Sequence, residues 1–442
     1  MAITRRDFIR LAGAGAIGLG LGLIGGYWLK SREVTAPVHE VTPTTPPTTT
    51  PAPRKIKALW IYVGPITDIG WTAAHHEAKE NVSRNFTAWL EAKHIEKVSE
   101  AEAKSIIEVE LRREKYDAVF ATSYGFKYAV AELAPKYPDV KFYHCSGEWE
   151  WDGFRNLPNV TTYFAEFYQL YYLNGIAAGA VTESCRVGYV PAFLIPEVVR
   201  HINAYALGAV YGAKLMGKCG NGEKLEVYVT RPLLSWFNPD KAREYAAYLV
   251  ERYDVDVIAF TEDSTAILDK AEEYMAQGKK VYSFSHYSNM YEYYRRKGII
   301  LKSHLTGQIA DWTPIYADLL IKLYVGAYRK EDIWTRIGDY TDIKWRRGVE
   351  ESTAGLPEGT VYLAPLNTAV IPPKAVYEIK RLYEDMKELL FEPFTGPIRG
   401  YIIDDEGRPQ EGVNLKVEPG VRLSRDDLWY MKWFYEKIVS PA

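Results

Sequence analysis

The 442-residue sequence predicts an α/β protein of two lobes, each a doubly wound parallel sheet. Short apolar runs end at Gly, Pro or Ser and are followed by helical patterns, the alternation expected of βαβ units. The alternation occurs as two successive series, and the length suits more than one core at about 100 to 200 residues per domain. Net charge is −3 with acids and bases interspersed, which gives no basic surface for nucleic acid.

The chain opens on an address. Residues 4–10, TRRDFIR, set paired arginines before Phe8 and Ile9, and an almost uncharged run follows from Leu11 to Leu29. This is the pattern of a twin-arginine export signal, and the run is about as long as a bilayer-spanning helix. No clean small-residue cleavage site follows and no cysteine stands there for a lipid, so residues 1–30 are expected as a signal or an uncleaved membrane anchor. Residues 31–53, with the run Thr42 to Pro53 (TPTTPPTTTPAP), are expected as an extended Thr/Pro linker that holds the next domain away from the membrane.

The stretch Ile56 to Lys79 organises the folded chain. Ile56, Leu59, Trp60, Ile61, Tyr62 and Val63 make a buried strand that ends at Gly64-Pro65, and an Ala-rich helix starts after Trp71. In an open parallel sheet this loop lies at the carboxyl end of its strand, where ligands bind, which places Asp68, Gly70 and Trp71 at a pocket rim. An acid beside a large aromatic can accept hydrogen bonds from a flat polar molecule while the ring stacks on its face; a helix cap and a core tryptophan are the structural alternative.

The helix is expected to run to Lys93, with a strand near Ile95 to Val98, a helix from Ala101 to Lys115 and a strand from Tyr116 to Ser123. The loop Ala121 to Phe126 places Ser123 and Phe126 at a second strand-to-helix junction. Strands Val140 to Ser146 and Val160 to Ala165 complete the first series. The second series reads as helix Leu170–Thr182, strand Arg186–Phe193, a long helix after Pro196, strand Leu225–Thr230, helix Pro239–Tyr253, strand Val255–Phe260, helix Ser264–Gln277 and strand Lys280–Ser285. Beyond it come a strand from Ile299 to Leu305, a helix from Asp311 to Tyr328, an irregular segment with Trp334 and Trp345, a helix near Ala375 to Leu390, a hairpin at Asp404 to Gly407, and a last helix from Asp426 to Ile438 bearing Trp429, Trp433 and Phe434 as a core stripe. The first lobe is expected to comprise residues 54–164 plus about 302–345, and the second 165–301 plus part of 346–442 with a C-terminal extension.

Enzyme signals fail. Gly212 to Cys219 fits a phosphate-loop pattern except that cysteine replaces the Ser/Thr that would bind magnesium, and it follows a helix rather than a strand. His75-His76-Glu77 lacks HExxH spacing, no GxSxG elbow is present, and no metal or other cofactor is expected. Cys145, Cys185 and Cys219 lack CxxC spacing and are expected as buried small side chains, supporting neither a disulfide framework nor a zinc site.

Several motifs resemble the basic membrane protein (BMP/Med, PnrA-like) family: Asp68-Ile-Gly-Trp71 with the following AHHEA, Ala121 to Phe126, Tyr137 to Phe142, Tyr172 to Ala180, Gly188 to Phe193 with Ile195 to Arg200, Asn203 to Gly208, Trp236 to Pro239 and Phe394 to Ile398. The resemblance runs in order over roughly residues 55–440. It implies a two-lobed type I periplasmic-binding-protein fold and the substrate-binding component of an ABC importer, exported to a cell-surface or periplasm-like space. Its partners would be a permease and an ATPase, and its ligands purine nucleosides or related compounds. Carried over position by position, the expected ligand-binding residues are Asp68, Trp71, Ser123, Phe126 and Asp263, with Trp236 and Phe237 added as stacking rings and Tyr287 added as a further ligand-binding residue.

The chain departs from the family at Ser285-His286-Tyr287-Ser288-Asn289. Members tend to read Gly-Tyr-Asp-Ser-Asp there, so Tyr287 replaces a carboxylate assigned to sugar hydroxyls. Losing that acceptor leaves a ribose diol poorly satisfied at roughly 1–3 kcal/mol, which shifts the expected ligand toward a purine base or another flat molecule. A ligand-sensing subunit for a membrane receptor is the alternative role, and a nucleoside-processing enzyme a third.

Overall fold

The computed structural model describes residues 55–146, 151–339 and 359–440; the expected signal or anchor, the Thr/Pro linker and Trp345 lie outside the described residues. Residues 53–442 form one compact unit.

The chain first builds β1 (Ile56–Ile61), α1 (Trp71–Asn85), β2 (Leu90–Ile95), α2 (Ala103–Arg113), β3 (Ala118–Ala121), a 3₁₀ turn (Tyr124–Phe126), α3 (Lys127–Leu133), β4 (Lys141–Cys145), α4 (Asp152–Arg155) and β5 (Val160–Ala165). It crosses to α5 (Tyr168–Val181), β6 (Arg186–Val190), α6 (Pro196–Leu215), β7 (Glu226–Val229), α7 (Pro239–Arg252), β8 (Val257–Phe260), α8 (Ala266–Ala276), β9 (Tyr282–Tyr287), α9 (Met290–Arg296) and β10 (His304–Ala310). It then returns through α10 (Thr313–Tyr324) and β11 (Asp332–Thr335). The remainder comprises β12 (Val361–Leu363), α11 (Pro373–Lys387), β13 (Ile398–Ile403), β14 (Pro409–Val417), α12 (Arg425–Trp429), β15 (Trp433–Tyr435) and β16 (Ile438–Val439).

The first sheet has the order β11-β5-β4-β3-β1-β2 and is parallel throughout. The second runs β12-β10-β9-β8-β6-β7-β16, with β12 as its antiparallel edge. Its central strands β6, β8 and β9 are buried on both faces, apart from the first residues of β6 and β9, because helices cover both sides. A small antiparallel sheet, β14-β13-β15, belongs to the C-terminal extension. The two-lobed α/β expectation therefore matches the architecture.

In the second lobe, α5 and α6 cross with backbones touching. A Cβ on Gly175 or Gly179 would overlap the carbonyl oxygens of Tyr205 and Ala209, and one on Gly208 or Gly212 those of Tyr172 and Ile176. Glycine at i and i+4 on each helix is what allows that approach. The sequence already carries the pattern in Gly175-Ile-Ala-Ala-Gly179 and Gly208-Ala-Val-Tyr-Gly212.

Several expectations need correction. The first helix ends at Asn85 and the strand expected near residue 95 lies earlier, at Leu90–Ile95; Phe86 and Trp89 stack at 4.6 Å in the turn between them, and β2 is an edge strand whose half-exposed Lys93 and His94 hide its alternation. The segment 302–310, expected with the first lobe, pairs as β10 with β9 in the second, so the return crossing falls at Asp311-Trp312. Helix α9 has no counterpart among the elements expected from sequence. The expected final helix stops at Trp429, because the residues after it pair with β13 and β7 instead; Trp429, Trp433 and Phe434 are nonetheless buried.

Cys185 and Cys219 form a disulfide with a Cα–Cα distance of 5.6 Å, overturning the expectation of three unpaired cysteines; only Cys145 is free and buried. The phosphate-loop look-alike is the end of α6, where Lys218 Nζ donates to the carbonyls of Ala180 (2.9 Å) and Thr182 (3.1 Å) at the C-terminus of α5, as a basic side chain near a helix end can. Among the described residues no helix is long and apolar enough to cross a membrane, and no group of three His, Cys, Asp or Glu is placed to hold a metal ion.

Candidate functional site

The carboxyl ends of both sheets face a cavity of about 280 Å³ between the lobes. Val63, Trp71, Ser123, Tyr124 and Ser146 line it from the first lobe, and Glu197, Trp236, Asp263 and Tyr287 from the second. Each lies at or beyond the carboxyl end of a strand in its own lobe, the general location of ligand sites in open α/β sheets.

The lobes meet at this site. Trp71 N–H points at Asp263 Oδ1 (3.4 Å), Ser288 Oγ donates to the Gly70 carbonyl (3.0 Å), and the rings of Trp71 and Tyr287 meet edge to face at 4.9 Å. A Cβ on Gly70 would stand 2.8 Å from Asp263 Cα, so only glycine lets the lobes close this far. Trp71 is fixed from behind by its Nε1–H bond to the Thr122 carbonyl (2.6 Å) and by edge contacts with His75 and Trp312. Trp236 packs against Phe193 and lends its carbonyl to Asp263 N–H (2.8 Å). Both tryptophans are thus held by contacts within the protein itself, the condition for a rigid stacking surface.

The acids divide into two groups. Asp68 accepts the N–H groups of Gly70, Thr72 and Ala73, each at 2.9 Å, and so caps α1 instead of lining the cavity. Burial nonetheless pushes its carboxyl up to about 6. Glu262, behind the wall, accepts Asn238 N–H (2.9 Å) and Ser264 Oγ–H (2.6 Å) and is raised by burial to about 7. Asp263 and Glu197 face the cavity. Burial, then the nearby Asp68 and Glu262 carboxylates, hold Asp263 well above the usual range. Desolvation brings Glu197 to about 7 although the cleft leaves it half-buried, and Tyr287 O–H approaches it at 3.4 Å.

Of the residues expected from sequence, Trp71, Ser123, Trp236, Asp263 and Tyr287 are brought together. Three are not. Asp68 is committed to backbone donors. Phe126 is fully buried in the first lobe's other core cluster, because the 3₁₀ turn rotates it inward. Phe237 is 39% exposed outside the cavity, held by the turn at Ser235. Sequence reasoning missed Val63, Tyr124, Ser146 and Glu197. The strand-end rule used for Asp68 applies equally to Glu197, the second residue of α6 just beyond β6.

Two parallel-sheet lobes meeting at a cleft beyond their strand ends are the architecture of the type I periplasmic-binding-protein class. Residues 55–325 match the family described as ABC transporter substrate-binding protein PnrA-like (Bmp), and the chain belongs to that family. TsgA13 of Haloferax volcanii, whose name describes an ABC transporter glucose-binding protein, is 32% identical over 279 residues. That match covers 63% of this chain and 64% of the relative, under two thirds of its length. A purine-binding protein of Brucella abortus is 28% identical over 353 residues, 79% of this chain and 85% of the relative. Among solved structures, an ABC transporter solute-binding protein of Aeropyrum pernix superposes with a TM-score of 0.59 at 14% identity, covering 76% of this chain and 92% of that one.

Proposed function

We propose that this chain is the exported ligand-binding subunit of an ABC importer and that it takes a purine base or nucleoside-like molecule between its lobes, releasing it unchanged to a permease driven by a separate ATPase. The observation that carries the ligand class is the wall formed by Trp71, Trp236 and Tyr287 with Asp263 and Glu197 among them: ring faces for a planar heterocycle, and carboxyl oxygens for its N–H groups. The purine-binding relative supports the same reading. The Cys185–Cys219 disulfide supports an oxidising, extracytoplasmic location, to which the paired arginines at residues 5 and 6 would deliver the protein. Residues 1–30 would then serve as signal or membrane anchor, and 31–53 as tether. A hexose is the second reading, favoured by the glucose-binding name of the haloarchaeal relative.

A thermal-shift panel of purine bases, nucleosides and hexoses tests this. A ligand at 100 times its Kd adds about 2.7 kcal/mol of stability. A purine that stabilises the wild type but not Trp71→Ala or Trp236→Ala supports the site; stabilisation by no purine, or chemical conversion of a purine during incubation, removes the proposal.

A further inference from the structure

The sequence holds three Asn-X-Ser/Thr tripeptides, Asn81-Val-Ser83, Asn85-Phe-Thr87 and Asn159-Val-Thr161, the acceptor pattern for N-linked glycans in exported proteins. A twin-arginine signal, the kind read at residues 4–10, delivers chains that are already folded. The folded structure therefore decides which of the three an oligosaccharide transferase can reach.

Two of them are turned inward. Asn159 is 3% exposed, its amide donates to the carbonyls of Ala134 (3.0 Å), Tyr137 (3.1 Å) and Val140 (3.0 Å), and Thr161 is fully buried. Asn81 is equally buried; its amide donates to Thr313 Oγ1 of α10 (3.2 Å), and Ser83 Oγ donates back to the Lys79 carbonyl (2.6 Å). A bulky glycan on either asparagine would have to displace packed protein.

Asn85 differs. It is the last residue of α1, and both it and Thr87 are exposed, so the amide to be modified and the hydroxyl that completes the pattern stand on the surface together. The amide donates to the Asn81 carbonyl (2.8 Å), a bond at the open end of the helix that solvent can replace. Phe86 between them packs on Trp89 at 4.6 Å, and Trp89 stacks in turn on Tyr324 at 4.4 Å, so the apolar residues anchor the turn while its polar residues face outward. Helix α1 starts at the cleft with Trp71, and Asn85 lies roughly 20 Å along its axis at 1.5 Å per residue. Ile56 N–H donates to the Trp89 carbonyl (2.7 Å), which sets this turn beside the start of β1, where the proposed tether joins the domain.

We propose that Asn85 is an N-glycosylation site, modified after the folded protein has crossed the membrane, and that Asn81 and Asn159 stay unmodified. The co-substrate is a lipid-phosphate-linked oligosaccharide. Asn85 Nδ2 bonds to the anomeric carbon of its first sugar as the bond from that carbon to the phosphate oxygen breaks; the phosphate leaves with the electron pair, and one amide proton passes to the transferase. A glycan at this place shields the root of the tether and leaves the mouth of the cleft clear.

Mass spectrometry of the full-length protein purified from the surface fraction of its natural cells tests this. Cleavage after Arg84 and Lys93 yields a peptide of residues 85–93, which is expected to carry a glycan localised to Asn85 by fragmentation, with the peptides holding Asn81 and Asn159 unmodified. Asn85→Gln and Thr87→Ala should each abolish the modification, Thr87→Ser should retain it, and all three should melt cooperatively. Should a variant fail to fold, the peptides of the unaltered protein still decide. An unmodified Asn85 in the protein from its natural cells, a glycan at Asn81 or Asn159, or a glycan that survives Thr87→Ala overturns the proposal, and each of these leaves the ligand reading standing. Recovery of the protein from the cytoplasm alone removes both this site and the export reading.

Discussion

Gly70 sits where the two lobes touch, and replacing it with alanine should hold them apart. The added Cβ would lie 2.8 Å from Asp263 Cα, 3.0 Å from its carbonyl carbon and 3.1 Å from its Cβ. Carbon atoms are at their optimum near 3.5–4.0 Å, and the two nearest obstructing atoms are backbone of the loop after β8, which cannot swing aside as a flexible side chain would. Overpacking of this kind costs about 1–3 kcal/mol. The cost falls on the closed arrangement alone, since Asp263 belongs to the other lobe; when the lobes separate, the methyl group meets nothing from it. Because ligand is held by closure, the whole penalty should appear in affinity, a loss of about 5- to 150-fold in Kd for a purine riboside by titration. The melting temperature of the unliganded protein should move little, and small-angle scattering at saturating ligand should report a larger radius of gyration than for the wild type. Wild-type affinity in Gly70→Ala, within twofold, would show that closure does not pass through this contact.

Other regions of the molecule give further expected outcomes. Gly179→Leu should prevent the α5–α6 crossing and abolish the cooperative melt, because the side chain would occupy the Ala209 backbone; Ala131→Leu, on a half-buried helix position of the first lobe, is the comparison and should melt cooperatively. Cys185→Ser opens a covalent link across a sequence separation of 34 and should lower stability by about 3–4 kcal/mol in the chain-entropy account, measured by denaturant midpoint. The carboxyl of Glu262 titrates near 7 when folded, against 4.5 in its ordinary state, so between those values the folded chain holds a proton that the unfolded chain has released. Stability from this group is therefore fully present below about pH 4.5 and is lost as pH rises through 7. Glu262→Gln, which needs no proton, should become more stabilising relative to wild type from pH 4.5 to 7.5, by up to about 3 kcal/mol; a difference that stays flat across that interval contradicts the assignment.

Much of this architecture was legible because strand and helix periods alternate cleanly and Gly or Pro punctuates them; β1, β5 and the start of α7 lie where the residues place them. What failed did so for tertiary reasons. The segment Ala310 to Thr313 carries no local mark of changing lobes, so β10 was misallocated. Trp429, Trp433 and Phe434 have helical spacing, but residues 433–439 find strand partners in β13 and β7, and pairing outweighed period. The disulfide has no sequence signature, since its cysteines are brought together only by the α6–β7 connection folding back on the end of α5. In the site, the strand-end rule located Trp71, Ser123 and Asp263, but it could not distinguish a side chain facing the cleft from one turned to its own backbone, which is why Asp68 and Phe126 were expected there and Glu197 was not.

The glycine crossing of α5 and α6 bears on how the cleft moves. Helix α5 begins directly after the chain leaves the first lobe, and α6 carries both Glu197 and Arg200. With main chain seated on main chain, neither rod can slide or roll against the other, so any rotation entering at the crossover reaches these two side chains without slack. Half of the binding surface must then swing as one piece, like a jaw on a stiff lever.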